Sequence, residues 1–385
     1  MADEYLIMMT VSHSCDINKC PITGKLFGEN KMKKVLLSGV ALLAMATSAQ
    51  AEGLSLDLSG HFKGYGVYNN NDEAAGVSLD ELNIRKETEV HFTGETTLDS
   101  GLTVGVHVEA DVDRDDNGSI VEESYMYLSG GWGRVNFGEE DGAAYLLQVS
   151  APNADSNIDG LRQYISTYNS TGTAGGANIR LDYDQVAPGS SKYNKVSYMT
   201  PVFNGFQAGV SYIPTMSDDG NGRTAVNADN TAGDYADGIE LAARYEGAFE
   251  GVGVAVGAGY GTYDREAKAA GQDDNKTWNA GLDLDFAGFG LGFAYLDTNQ
   301  GLTGSNDQTT MVVGADYQMG AYKLGASWLN QETETAGVKA DVERYTVGAS
   351  YSYGPGMSFR GSVSMIDNDN NIDSTQVSLG TQVNF

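Results

Sequence analysis

Cysteine is almost missing. Of 385 residues only Cys15 and Cys20 are cysteine, and both lie ahead of residue 31. Their C-x4-C spacing, with His13 nearby, is at most half of a metal site, since a structural zinc centre needs a second pair. Proline is scarce, at 6 residues, and the 50 glycines follow no G-X-Y period, so collagen and Pro-rich linkers are excluded. Basic residues are few, 23 against 52 acidic, for a formal charge of −29. Phosphate contacts need clustered Lys and Arg, so no nucleic-acid partner is expected. Beyond about residue 50 no apolar run reaches the roughly 18 residues that a membrane-spanning helix needs. A multi-helix membrane protein is thereby excluded, but a membrane barrel is not. No G-x-S-x-G, P-loop or H-E-x-x-H occurs, so nothing points to an enzyme. What the chain does hold is 41% hydrophobic residues with 10% aromatics, too rich for a disordered acidic polymer.

Residues 31–51 read KMKKVLLSGVALLAMATSAQA. Lys31, Lys33 and Lys34 form a positive n-region, Val35 to Ala46 an apolar h-region, and Ala49-Gln50-Ala51 a small-residue cleavage site. The expectation is a signal peptide over 32–51, with Met32 the natural start and 1–31 an upstream extension without a role in the fold. The mature chain then covers 52–385. Taking the 5 Lys and 4 acidic residues of 1–51 from the totals leaves 18 basic and 48 acidic, a net of −30.

From residue 54 onward the hydrophobic period is two. In 102–113, Leu102, Val104, Val106, Val108, Ala110 and Val112 share one face, and Thr103, Gly105, His107, Glu109, Asp111 and Asp113 the other. Such alternation gives a strand one apolar and one polar face. Sixteen strands are predicted: 54–68, 80–97, 102–113, 120–129, 132–138, 192–200, 206–213, 238–246, 251–263, 276–286, 289–298, 308–318, 320–330, 339–353, 357–366 and 374–385. Short connections such as Ala287-Gly288 and Met319-Gly320 alternate with long polar ones such as NNNDEAAG and DNDNNID. Short turns at one rim and long loops at the other mark an all-β, antiparallel transmembrane barrel. A soluble sandwich also alternates. Against it stand the large even strand number, the alternating connection lengths and the aromatic residues near strand ends. Trp132 falls in a short turn, and Trp278 and Trp328 toward the other rim, as two bilayer interfaces require.

The last strand carries Val377, Leu379, Thr381, Val383 and Phe385 on one face. A chain that ends an alternating strand on Phe385 resembles outer-membrane barrels, whose terminal aromatic is an assembly signal. The segments FTGETTLDSGLTVGVHVEA (92–110), ESYMYLSGGWGRVNFGEEDGAA (123–144) and NKVSYMTPVFNGFQAGVSY (194–212) extend the likeness. The sequence resembles the sixteen-stranded trimeric general porins of Gram-negative bacteria, in particular the alphaproteobacterial branch typified by the Rhodobacter porins. The resemblance implies a passive outer-membrane diffusion channel for small hydrophilic solutes and ions. It also implies a homotrimer, surrounding lipid and lipopolysaccharide, and delivery by the outer-membrane assembly machinery. The alternatives are a substrate-specific channel and a structural or adhesive barrel.

The family's third external loop folds inward and narrows the pore, its acidic groups facing basic groups on the wall. Residues 139–191 are the matching stretch, too long for an ordinary connection. Within it the resemblance marks Glu139, Glu140, Asp141, Asp155 and Asp159 as constriction acids, with Ala143–Val149 a short helix on the inner wall. Lys63, Arg85, Arg134, Lys195 and Arg360 fall on lumen parity as wall cations, because Phe62, Ile84, Val135, Val196 and Phe359 then face lipid. Lys86 breaks the pattern and is expected near a rim. The three mature histidines, His61, His91 and His107, also fall on lumen parity at similar depth. They are a candidate metal or pH-sensing cluster, or three separately solvated side chains. Asp113-x-Asp115-x-Asn117-Gly118 matches the start of a calcium loop, with Glu122 near but Ser124 in the bidentate position. Calcium at external loops is therefore the one candidate cofactor. A narrow opening lined by these acids predicts a cation-preferring pore.

Overall fold

The computed structural model describes residues 53–72, 78–113, 120–166, 181–184, 186–188, 192–216, 230–369 and 373–385. The expected extension and signal peptide lie outside the described residues. The strands are β1 (Ser55–Asn71), β2 (Leu82–Thr97), β3 (Thr103–Asp111), β4 (Val121–Gly130), β5 (Gly133–Glu140), β6 (Tyr193–Met199), β7 (Phe206–Thr215) and β8 (Tyr235–Phe249). They continue as β9 (Val252–Arg265), β10 (Asn275–Phe286), β11 (Phe289–Thr298), β12 (Gln308–Met319), β13 (Tyr322–Thr335), β14 (Val338–Gly354), β15 (Met357–Asn368) and β16 (Ser374–Asn384). A one-turn helix, α1 (Ala143–Leu146), follows β5. Each strand pairs with its chain neighbours, and β1 with β16, so the sheet closes on itself. The closing seam runs antiparallel from His61↔Asn384 to Asn71↔Ser374. Closure leaves no strand edge unpaired, which hydrocarbon demands because it offers a peptide group no partner.

Alternation sorts the side chains as the sequence implies. Along β12, Val313 is exposed outward while its neighbour Val312 is buried inward. Leu56, Leu58, Ile84, Phe137, Leu291, Leu324 and Leu379 form part of the outward apolar surface. At the short-turn rim stand Phe203, Phe249, Phe286, Phe289, Tyr322 and Tyr353, all exposed, with Trp132 stacked on Tyr198. A two-residue hairpin of type I′ needs positive φ at both positions to match strand twist. Ala287 and Gly288 supply it at φ 48° and 91°.

The alternation of connection lengths fails at one place. Gln331–Thr335, expected as loop, continues β13 and pairs with Val338–Val342. Only Ala336 and Gly337, at φ 52° and 81°, remain as a turn on the long-loop side.

The largest buried apolar cluster lies between the barrel wall and the chain that follows β5. Ala151, Leu181 and Tyr183 pack there against Ala294, Val312, Leu329, Val342 and Ile366 of β11–β15. The described parts of 141–192 therefore lie inside the barrel, against its wall.

Candidate functional site: the lumen and its inner loop

The inner loop is laid down strand by strand. Backbone N–H groups at the start of α1 have no partner within the helix. Ser211 Oγ accepts from Ala143 N at 2.9 Å, and Glu240 Oε2 from Ala144 N at 3.0 Å. Asn279 Nδ2 donates to Ala144 O, and Arg244 Nη1 to Gln148 O. Beneath the loop backbone the wall is glycine. A Cβ at Gly257 would stand 2.8 Å from Leu147 O. At Gly314 it would stand 2.8 Å from the Pro152 carbonyl carbon and closer to its oxygen, and at Gly325 2.7 Å from Ala154 Cα. Gly281 and Gly292 lie likewise under Val149 and Pro152. The loop backbone reaches the wall only because these inward positions lack side chains.

Past residue 154 the anchors become charged. Asp155, fully buried, accepts from Arg360 Nη1 at 3.0 Å and from Tyr65 Oη at 2.8 Å. Asp159 accepts from Ser327 Oγ at 2.6 Å and from the backbone of Ala154 and Asp155. Burial pushes its carboxyl above the usual range, with Arg344 and Ser327 pulling back. Arg344, fully buried on β14, donates to Ile158 O at 3.1 Å. Tyr164 then lies under Lys63 Nζ, 3.1 Å from the ring centroid. The returning strand of the loop is tied by Arg162 to Asp184 at 2.9 Å. Burial disfavours the Arg162 charge, but Tyr145, Asp141 and Asp184 outweigh it and hold it more firmly charged. Burial also pushes the Asp184 carboxyl up to about 6, against the pull of Arg162.

Several acids fall elsewhere than expected. Glu139 and Glu140 belong to β5, so the loop begins at Asp141. Glu139 stands on the parity of Phe137, opposite exposed Ser124 and Asn194, and so faces outward. Glu140 faces inward but is buried and takes a hydrogen bond from Asn136. Asp155 and Asp159 are buried anchors rather than free constriction charges. Asp141 is buried and lies 3.7 Å from Arg162. Of the wall cations, Lys63 pairs with Glu87 at 2.7 Å, Arg134 stacks on Tyr127 and donates to Asn136, and Lys195 is buried on β6. Arg85 is exposed on lumen parity, opposite buried Tyr65. Lys86, exposed, reaches Asp113. The calcium candidate is not brought together: Asp113 goes to Lys86 and Glu122 to Lys192, while Asp115 and Asn117 lie outside the described residues.

The closed sixteen-stranded barrel with an inner loop after β5 agrees with the comparisons to known proteins. The family described as Gram-negative porin matches residues 38–371, most of the chain. The chain belongs to that family. It is thus an outer-membrane porin channel, and channels of this family are passive rather than enzymatic. Among solved structures, the anion-selective porin of Comamonas acidovorans is 18% identical at a TM-score of 0.61, over 86% of this chain and 100% of that one. A Salmonella typhi OmpF complex with daunomycin is 20% identical at 0.60, over 86% and 97%. A variant of the Rh. blastica porin is 21% identical at 0.54, over 86% and 100%. Identities this low speak for the fold alone. No curated protein matches the sequence.

The wall of this porin opposite the loop's apolar bed is polar. His61, His91 and His107 come together on β1, β2 and β3, with ring centroids 6.0 and 5.7 Å apart in succession. Carboxylates stand between them: Glu87 and Glu89 on β2, Glu109 on β3, Glu122 and Glu123 on β4. Lys192, at the end of the loop, gathers Glu109, Glu122 and Glu123 at 3.0, 2.9 and 3.3 Å. Burial works against its charge, but Glu123, Glu109 and Asp141 outweigh it and raise its pKa. None of Glu87, Glu89, Glu109, Glu123 or Lys192 was singled out by the sequence pattern. Their signal was there: Glu89 and Glu109 each sit two residues from a histidine, on the same lumen parity.

Proposed function

We propose that this porin is a general diffusion channel for small hydrophilic solutes and ions, that it prefers cations, and that it works as a homotrimer after removal of residues 1–51. The observation that carries the cation preference is the polar wall. Five carboxylates, Glu87, Glu89, Glu109, Glu122 and Glu123, stand there against three cations, Lys63, Arg85 and Lys192. A confined, low-dielectric passage focuses such a field onto permeating ions. The Comamonas porin named as anion-selective shares the fold at low identity, and the choice of ion sign depends on each chain's own wall. Trimer formation is supported by the outer face around the closing seam. There Phe62, Leu379 and Phe385 stand beside Gly60, Gly64 and Gly66. Phe385 is hydrogen-bonded to Gly60 in both directions, so the last residue is part of the closing seam.

The test is the zero-current potential across a bilayer under a potassium chloride gradient. Cation preference is expected, shrinking in concentrated salt as screening tightens to about 3 Å at 1 M. Glu109→Gln with Glu123→Gln should reduce it. Anion preference in the parent protein would overturn the proposal. Saturation of current by one solute would support the substrate-specific alternative, and absence of conductance the adhesive one.

A further inference from the structure

His61, Glu89 and His91 converge as metal donors do. Glu89 Oε2 lies 3.6 Å from His61 Nε2 and 3.3 Å from His91 Nε2, and all three donor atoms lie within 4.8 Å of one another. Tetrahedral zinc with bonds of about 2.0 Å separates its ligands by about 3.3 Å. Two imidazoles and a carboxylate at that spacing are three ligands with a fourth position open. The neighbouring charges leave Glu89 to the histidines. Lys63 holds Glu87 at 2.7 Å, although Glu87 also meets His61 Nε2 at 2.9 Å, and Lys192 holds Glu109, Glu122 and Glu123. Among the described residues the ion pairs of Glu89 are with His61 and His91 alone. On its far side, His91 Nδ1 faces Glu109 Oε2 at 3.7 Å. A ligating imidazole commonly gives its other N–H to a carboxylate, which fixes its tautomer. His107 forms a second such group with His91 and Glu109, but its Nδ1 is bound to Thr93 Oγ1 at 2.8 Å, and Glu109 is held by Lys192 at 3.0 Å.

We propose that His61, Glu89 and His91 form a binding site for a zinc-class divalent ion on the lumen wall, with Glu109 positioning His91. The side chains are 15%, 8% and 25% exposed, so the site is reachable from the pore. Its nitrogen-rich donor set selects Zn2+, Co2+ or Cu2+ over Ca2+ and Mg2+, which take oxygen. Tyr164 of the inner loop stands 6.2 Å from His61, ring to ring. A bound dication would therefore add positive charge beside the loop and reduce cation current.

Binding is read spectroscopically, independently of ion selectivity. The probe is Co2+, titrated into the detergent-solubilised protein carrying Cys15→Ser and Cys20→Ser. Saturable tetrahedral Co2+ absorption in the visible is expected, displaced by Zn2+ but not by Ca2+ or Mg2+. Losing an outer-shell partner costs about 10–100-fold in metal affinity, so Glu109→Gln should weaken binding by that much and His61→Gln or His91→Gln by at least as much. His107→Gln should leave it unchanged. Unaltered heat-dependent gel migration of each variant establishes that the barrel is folded. No saturable Co2+ signal, or one that survives both His61→Gln and His91→Gln, would overturn the site. A signal lost in His107→Gln but kept in His61→Gln would do so equally.

Discussion

Arg360→Met is the sharpest perturbation of the inner loop. The side chain keeps its apolar stem but loses the guanidinium that meets Asp155 at 3.0 Å and Ser156 Oγ at 2.9 Å. The Asp155 side chain is 0% exposed, so its charge cannot turn to water while the loop stays docked. Tyr65 Oη and Asn157 N remain as donors. Removing one partner of a buried pair costs about 3–5 kcal/mol, because the other charge is left uncompensated. At about 1.4 kcal/mol per tenfold, the ratio of docked to released loop tip should fall by about two to three and a half orders of magnitude. The barrel itself should persist, since its backbone ladders do not pass through this contact. Single-channel recording should then show rapid current fluctuations absent from the parent. Adding Asp155→Asn removes the stranded charge and should quieten most of them. A quiet Arg360→Met channel of parental conductance would refute the reasoning. So would a double variant as noisy as the sum of its singles, because contacting partners must couple.

Gly314→Val should force the Pro152 segment off the wall by more than about 1 Å, since its Cβ overlaps the Pro152 oxygen most and carbon–oxygen contacts need roughly 3.3 Å, and alter conductance; Gly94→Ala on β2, whose Cβ would meet only Leu56 at 3.5 Å, should not. The Asp184 carboxyl titrates near 6 in the folded loop against about 3.9 unfolded, so the stability it lends is full below about 3.9 and lost as pH rises through about 6. Amide exchange over 181–184, corrected for intrinsic rates, should therefore show stronger protection at pH 5 than at pH 7.5. Asp184→Asn should flatten that slope, and protection rising with pH would contradict it. Tyr164→Ala removes the ring beneath Lys63 and should loosen the loop tip, which limited proteolysis after residue 164 would register.

The fold was legible because a barrel wall enforces a period of two. A side chain on the wrong parity puts charge into lipid, so sixteen alternating segments could be read one at a time. The histidine row was legible for the same reason, parity together with similar depth. Two things did not follow from parity. One was where a strand stops: Glu139 was read as loop, yet β5 continues because Ser124 and Asn194 offer it pairing on both sides. Gln331–Thr335 likewise extends β13, since polar residues pair freely where β13 and β14 run on past the apolar band. The other was what the loop acids touch. Asp155 meets Arg360 across 205 positions and Asp159 meets Ser327 across 168, and no local pattern encodes such distances. The row of inward glycines was visible, but it acquires meaning only once the path of the loop is known.

The two halves of the lumen therefore do different work. From β7 to β15 the wall is a bed: glycines admit the loop backbone, apolar side chains pack against it, and Arg344 and Arg360 bind its carbonyl and carboxylate oxygens. Asp155, Asp159, Arg344 and Arg360 are buried or matched there, so they act on the loop rather than on passing ions, while Asp283 and Asp285 on β10 stay partly exposed. On β1 to β4 the balance is different. Acids outnumber cations there, and His61, His91 and Glu122 keep part of their surface open. Ion choice should follow the second wall and pore width the first. Substitutions at Glu89 or Glu109 should thus shift the zero-current potential with little change in open-channel noise, and substitutions at Asp155 or Arg360 the reverse. Measuring both quantities on both sets tests the division directly. If Arg360→Met moved the zero-current potential as far as Glu89→Gln with Glu109→Gln, the bed would be part of the selectivity filter and the separation would fail.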